Sequence, residues 1–97
     1  MACYTIVHLT VTDPEKFAEY GARVPATIEK WGGEYLIRGG HTTVVEGEMP
    51  HNRHVVGKFP DRATAEGWYN SPEYQEILKI RLAASHGTLI MVDGYEP

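Results

Sequence analysis

Cysteine is nearly missing from this chain: Cys3 stands alone among 97 residues. One thiol forms no internal disulfide and builds no cysteine cage for zinc or an iron–sulfur cluster, so a reducing, cytoplasmic setting is the default expectation. Positive charge is also scarce, with 9 Lys and Arg against 13 Asp and Glu and a net charge of −4. Nucleic-acid phosphates and anionic membrane surfaces both call for a basic footprint, so neither partner is expected. No apolar run approaches the roughly 18 residues of a membrane-spanning helix. The stretch from Ile6 to Val11 is broken by His8 and Thr10, and no positive segment followed by an apolar run opens the chain. The glycine pairs Gly32-Gly33 and Gly39-Gly40 lack the Lys-Ser/Thr of a phosphate loop, and Ser71 lacks Gly-x-Ser-x-Gly surroundings. No constellation prescribes a reaction, so no catalytic residue is assigned and no cofactor is expected.

What is present reads as one globular domain over residues 1–97, with 42% hydrophobic and 23% charged residues, which excludes a disordered chain. Tyr4 to Val11 is rich in β-branched residues and alternates by two, with apolar residues on both faces. A strand of that kind needs cover on each side: helices on one, and something else, such as a second subunit, on the other. Asp13-Pro14-Glu15 starts a helix, with Asp13 as cap and Pro14 in the first turn. Phe17, Tyr20, Val24, Ile28 and Trp31 then recur at spacings of three and four as one apolar stripe. Pro25 is expected to bend this helix, because its ring meets the Gly21 carbonyl and removes one hydrogen bond.

Gly32 or Gly33 supplies the helix stop. Glu34 to Arg38 reads as the second strand, followed by the bend at Gly39-Gly40 and a further β-prone stretch from His41 to Glu46. A turn-rich loop over 47–52 leads to a strand from Arg53 to Phe59. Asp61 caps a short helix through Ala65, Trp68 and Tyr69, and Ser71-Pro72-Glu73 restarts a helix through Tyr74, Ile77, Leu78 and Arg81. Gly87 is expected to stop that helix and Thr88 to Val92 to form the last strand. The order predicts an α+β, ferredoxin-like β-α-β-β-α-β domain, an antiparallel sheet with its helices on one face.

The chain resembles the DUF1330 family of small bacterial proteins, within the dimeric α/β-barrel superfamily. The resemblance runs from Asp13-Pro14-Glu15, Tyr20 and Pro25 through Gly32-Gly33, Tyr35-Leu36 and Arg38-Gly39-Gly40. It continues through Glu46-Gly47, Arg53, Phe59-Pro60, Ala65, Trp68-Tyr69, Ser71, Tyr74 and Arg81. It implies the ferredoxin-like fold and a homodimer whose two sheets pack face to face; it implies no established reaction. Two positions depart from the family pattern: Lys58 stands where an acidic residue is commoner, and Glu34 where a basic one is frequent. If relatives use the first carboxylate as a base, this chain cannot.

The residues expected to converge as a ligand site are Arg38, Glu46, Arg53, Trp68, Ser71, Tyr74 and Arg81. Guanidinium forks beside aromatic rings make a seat for a small anionic or aromatic molecule. A structural use competes: Arg38 or Arg53 can pair with Glu46, and Arg81 with a strand carboxylate or across a dimer. Trp68 and Tyr69 suit core burial, and capping accounts fully for Ser71. His51 and His54 give the only close histidine spacing, with no acidic partner to complete a shell, so no metal is expected. His8 reads as a hydrogen-bonded core or interface histidine. Three functions remain open: a homodimeric small-molecule binding module, a cofactor-free oxygenase, isomerase or lyase by superfamily analogy, or a structural dimer.

Overall fold

The computed structural model describes residues 1–97 and orders them as β1 (Cys3–Val11), α1 (Pro14–Lys30), β2 (Glu34–Arg38), β3 (Arg53–Phe59), α2 (Arg62–Asn70), α3 (Pro72–Ala84) and β4 (Ser85–Asp93). The strands form one antiparallel sheet in the order β2-β3-β1-β4, the ferredoxin-like arrangement. β1 runs through the middle and alternates strictly. Cys3, Thr5, Val7 and Leu9 are buried on the helix side, while Tyr4, Ile6, His8 and Thr10 are half-covered on the other.

The helix starts follow local chemistry. Asp13 accepts from the Lys16 N–H, Asp61 from Thr64 and Ser71 from Tyr74, and proline occupies the first turns of α1 and α3. Gly32, at φ +73°, closes α1, with Gly33 N–H donating to the Ile28 carbonyl. The core lies between the helices and the buried face of the sheet. Tyr20, Val24 and Ile28 of α1 meet Phe59 of β3, Trp68 of α2, and Tyr74, Ile77 and Leu78 of α3. No helix is long and apolar enough to cross a membrane.

Two sequence expectations need correction. His41 to Glu46 form no strand: β2 ends at Arg38, Gly39 turns the chain at φ +71°, and the residues up to β3 are irregular. Gly87 does not stop α3, which already ends at Ala84, where Ser85 Oγ donates to the Arg81 carbonyl. Gly87 instead lies within β4, paired with Leu9, where its missing side chain lets the His8 backbone come close. α1 runs from Pro14 to Lys30 as one helix with Pro25 inside it.

The two departures from the family pattern are one feature in space. Glu34 and Lys58 stand opposite each other across β2 and β3, so opposite charges face one another. Lys58 also pairs in register with Tyr4, on the helix-free side of the sheet.

Candidate functional site

A cavity of about 40 Å3 lies between the sheet and the helices. Its apolar walls include Val7, Leu9 and Val55 from the sheet and Phe17, Val24 and Ile28 from α1. Three arginines line it: Arg38 from the end of β2, Arg53 from the start of β3 and Arg81 from α3. No Asp or Glu lines it. A chain of net charge −4 has therefore placed three cations around one apolar hollow.

Their neighbours do not neutralise them. The ion pairs of the chain join Arg23 to Glu76, Lys30 to Glu73, Arg62 to Glu66 and Asp93, and the N-terminus to Glu96; none involves a cavity arginine. Arg38, at the exposed rim, lies 4.9 Å from the centre of the Tyr35 ring, and its Nη2 donates to the Gly21 carbonyl at 2.7 Å. That carbonyl is available because Pro25 has no N–H to give it. The proline thus leaves a backbone acceptor on α1 that holds the rim arginine in place.

Arg53 stacks over Phe17 at 5.1 Å, and its buried Nε has no hydrogen-bond partner. A Cβ on Gly39 would stand 2.7 Å from its Nη1, so the glycine both makes the turn at positive φ and leaves room for the guanidinium. Arg81 is deepest. Only 6% exposed, it too has an Nε without a partner. Arginine stays charged when buried, because its pKa lies too high for the proton to leave.

Two phenols stand beside it. Tyr20 lines the cavity, and its hydroxyl shares a 2.9 Å hydrogen bond with that of Tyr74. Burial pushes the pKa of both above the ordinary tyrosine value, and the Arg81 charge partly offsets this. Tyr35 is shifted upward by burial as well, against the pull of Arg38 and Arg53. At neutral pH all three are neutral hydrogen-bonding groups next to fixed positive charge.

Of the expected site residues, Arg38, Arg53, Trp68 and Arg81 line this cavity. Trp68 also has a packing role: its ring lies 4.1 Å from that of Tyr74 and 5.2 Å from that of Phe59, and its Nε1 donates to Thr27 Oγ1 at 3.0 Å. Tyr74 sits behind Tyr20, fully buried. Ser71 caps α3, accepting from the Tyr74 N–H and donating to the Trp68 carbonyl at 2.7 Å. Glu46 is not brought to the arginines. It lies in the irregular segment before β3, beside Glu48 and His54 on a separate open groove, so the expected pairing with Arg38 or Arg53 does not form.

Sequence reasoning left out Phe17, Tyr20 and Tyr35 as lining residues. The first two belong to the apolar stripe of α1, and periodicity cannot separate a core position from a cavity wall. No three His, Cys, Asp or Glu side chains converge to hold a metal ion. The Nδ1 atoms of His8 and His54 instead meet at 2.8 Å, and His51 Nδ1 contacts Thr10 Oγ1 at 2.9 Å.

The fold has many relatives. The chain is 19% identical to a protein of unknown function, RPA0582, from Rhodopseudomonas palustris, with a TM-score of 0.82 over 99% of this chain and 84% of that one. A dimeric ferredoxin-like protein of unknown function from Jannaschia sp. CCS1 matches at 12% identity and a TM-score of 0.74, over 97% of this chain and 100% of that one. SnoaB, a cofactor-independent oxygenase from Streptomyces nogalater, matches at 14% identity and a TM-score of 0.66, over 99% of this chain and 95% of that one. At these identities the likeness is one of fold. No curated protein matches the chain. Residues 2–95 match the family described as a domain of unknown function, DUF1330, and the chain belongs to that family.

Proposed function

We propose that this protein binds a small anionic molecule, aliphatic or aromatic, in the cavity between sheet and helices, and does so as a homodimer. The observation that carries the reading is Arg81: a permanently charged side chain, nine-tenths buried, at a cavity wall, with no carboxylate of its own chain in reach. Burying an uncompensated ion costs several kcal/mol. A fold that carries such a cost for its own stability alone has cheaper solutions, whereas a binding site uses the charge.

The test is a thermal-shift panel of small organic and inorganic anions, acetate, benzoate, phosphate and sulfate among them, repeated in an Arg38→Ala variant. Saturable stabilisation by at least one anion, weakened in the variant, is expected. A melting temperature indifferent to every anion defeats the proposal.

The dimer is supported by the helix-free face of the sheet. Ile6 is flanked there by Val56 and Ile90, with Ile37 and Val92 nearby, and Ile37, Ile90 and Val92 are exposed. Unpaired apolar sheet faces call for cover, and one neighbour in fold is described as dimeric. Sedimentation equilibrium should give twice the chain mass, and Ile90→Asp should reduce it to the chain mass without unfolding.

Cofactor-free catalysis in the same cavity is the second reading, favoured by the Tyr20 phenol at the wall beside Arg81 and by the fold shared with an oxygenase. Oxygen consumption with quinol substrates tests it. An unchanged oxygen trace and absorbance spectrum remove that branch.

A further inference from the structure

We infer that the cavity takes a short aliphatic monocarboxylate head-first, its carboxylate on the Arg81 guanidinium and its carbon chain pointing towards the rim formed by Phe17 and Arg38. This deepens the anion-site reading and rests on it.

The charge count comes first. Of the three guanidinium groups, Arg38 is at the exposed rim with Nη2 committed to the Gly21 carbonyl, and Arg53 is half-exposed against the Phe17 ring. Only Arg81 is both deep and without any hydrogen-bond partner for its Nε. One buried positive charge calls for one negative charge. A planar carboxylate accepts two hydrogen bonds from one guanidinium. Phosphate and sulfate carry about two charges and hold their hydration water strongly, and walls of valine, leucine and isoleucine return none of it.

Size decides the rest. A single water needs roughly 10–15 Å3 measured in this way, so a 40 Å3 hollow holds about three non-hydrogen groups beyond its walls. A cavity that accepts benzene is about 150 Å3 by comparison, so a ring does not fit inside and would have to remain in the mouth. The enclosed part therefore takes the three heavy atoms of a carboxylate, and a short chain runs on along the apolar walls into the mouth. The walls reward that chain: each methylene moved from water to an apolar site strengthens binding about fourfold.

The experiment is titration of the ligand-free protein with acetate, propionate and butyrate, followed by calorimetry and by amide NMR shifts at Val7 and Leu9. Propionamide serves as a neutral shape match, phosphate and benzoate as size and charge controls. Expected is saturable carboxylate binding that tightens about fourfold per methylene and then levels off as the chain reaches the rim. Propionamide should bind at least tenfold more weakly, and phosphate should leave the cavity amides unmoved. Arg81→Met should abolish the carboxylate effect and Arg81→Lys weaken it at least tenfold; should the first misfold, the second carries the comparison.

Phosphate binding as tightly as propionate overturns the monocarboxylate assignment and leaves the anion site standing. Propionate binding unchanged in both Arg81 variants overturns the head-first placement. Failure of every anion, benzoate included, removes this inference together with the reading beneath it.

Discussion

Arg81→Met separates a guanidinium kept for structure from one kept for a ligand, because the two uses give stability changes of opposite sign. Methionine keeps much of the length and flexibility of the arginine stem, so little packing is lost. What disappears is a charge that is 6% exposed and has no carboxylate neighbour. Even fully paired buried ions, when replaced by apolar residues, often leave a protein 1–4 kcal/mol more stable, and that range of about 1–4 kcal/mol is expected here. The loss on the other side is the favourable interaction with the Tyr20 and Tyr74 phenols, which keep their hydrogen bond to each other without the arginine.

Urea unfolding of ligand-free protein, followed by Trp fluorescence, is the assay. With a slope of about 1–3 kcal/mol per molar urea, a gain of about 2 kcal/mol moves the midpoint up by roughly 1 M. Adding the ligand at one hundred times its dissociation constant stabilises only the wild type, by about 2.7 kcal/mol, and brings its midpoint back level with the variant or above it. A ligand-free variant less stable than wild type by more than about 1 kcal/mol refutes the reasoning, for Arg81 would then hold the fold together.

Three further outcomes follow from the same geometry. Gly39→Ala places a Cβ 2.7 Å from Arg53 Nη1 at a backbone φ of +71°, so it should cost about 1 kcal/mol from the left-handed conformation and also lower anion affinity by displacing Arg53; an unchanged affinity in calorimetry contradicts that link. Trp68→Ala removes a 3%-exposed ring packed between Phe59 and Tyr74, together with its bond to Thr27, and should cost about 3–5 kcal/mol in urea unfolding. For Tyr20 and Tyr74 the folded-state pKa is raised, so their contribution is present below the ordinary phenol pKa of 10.0 and is lost as the pH climbs past it. Stability should therefore fall above pH 10 by up to about 1.4 kcal/mol per pH unit for each phenol, with their tyrosinate absorbance appearing as the chain unfolds; early ionisation of both in the native state contradicts their burial.

The positions read from sequence with most success carry local signals. Asp13, Asp61 and Ser71 start helices through bonds to N–H groups three residues away, and β3 runs from Arg53 to Phe59 as its alternation predicts. Such contacts need no knowledge of the rest of the chain. The failures have a common origin in distant partners. His41 to Glu46 has the composition of a strand but finds no strand to pair with once Gly39 has turned the chain away, and Gly87 resembles a helix stop until its pairing with Leu9 is known.

By itself the sequence determined the element order, the helix caps, the ferredoxin-like class and four of the side chains now at the cavity, because each rests on spacing, residue type or a motif within a short stretch. Only the tertiary structure decided that Arg38, Arg53 and Arg81 stand around one hollow while Glu46 stands apart, and that the carbonyl left free by Pro25 receives Arg38. Whether a charge is neutralised depends on atoms brought within a few ångströms from places dozens of residues away. Chain spacing carries no record of those distances, and electrostatics responds to nothing else.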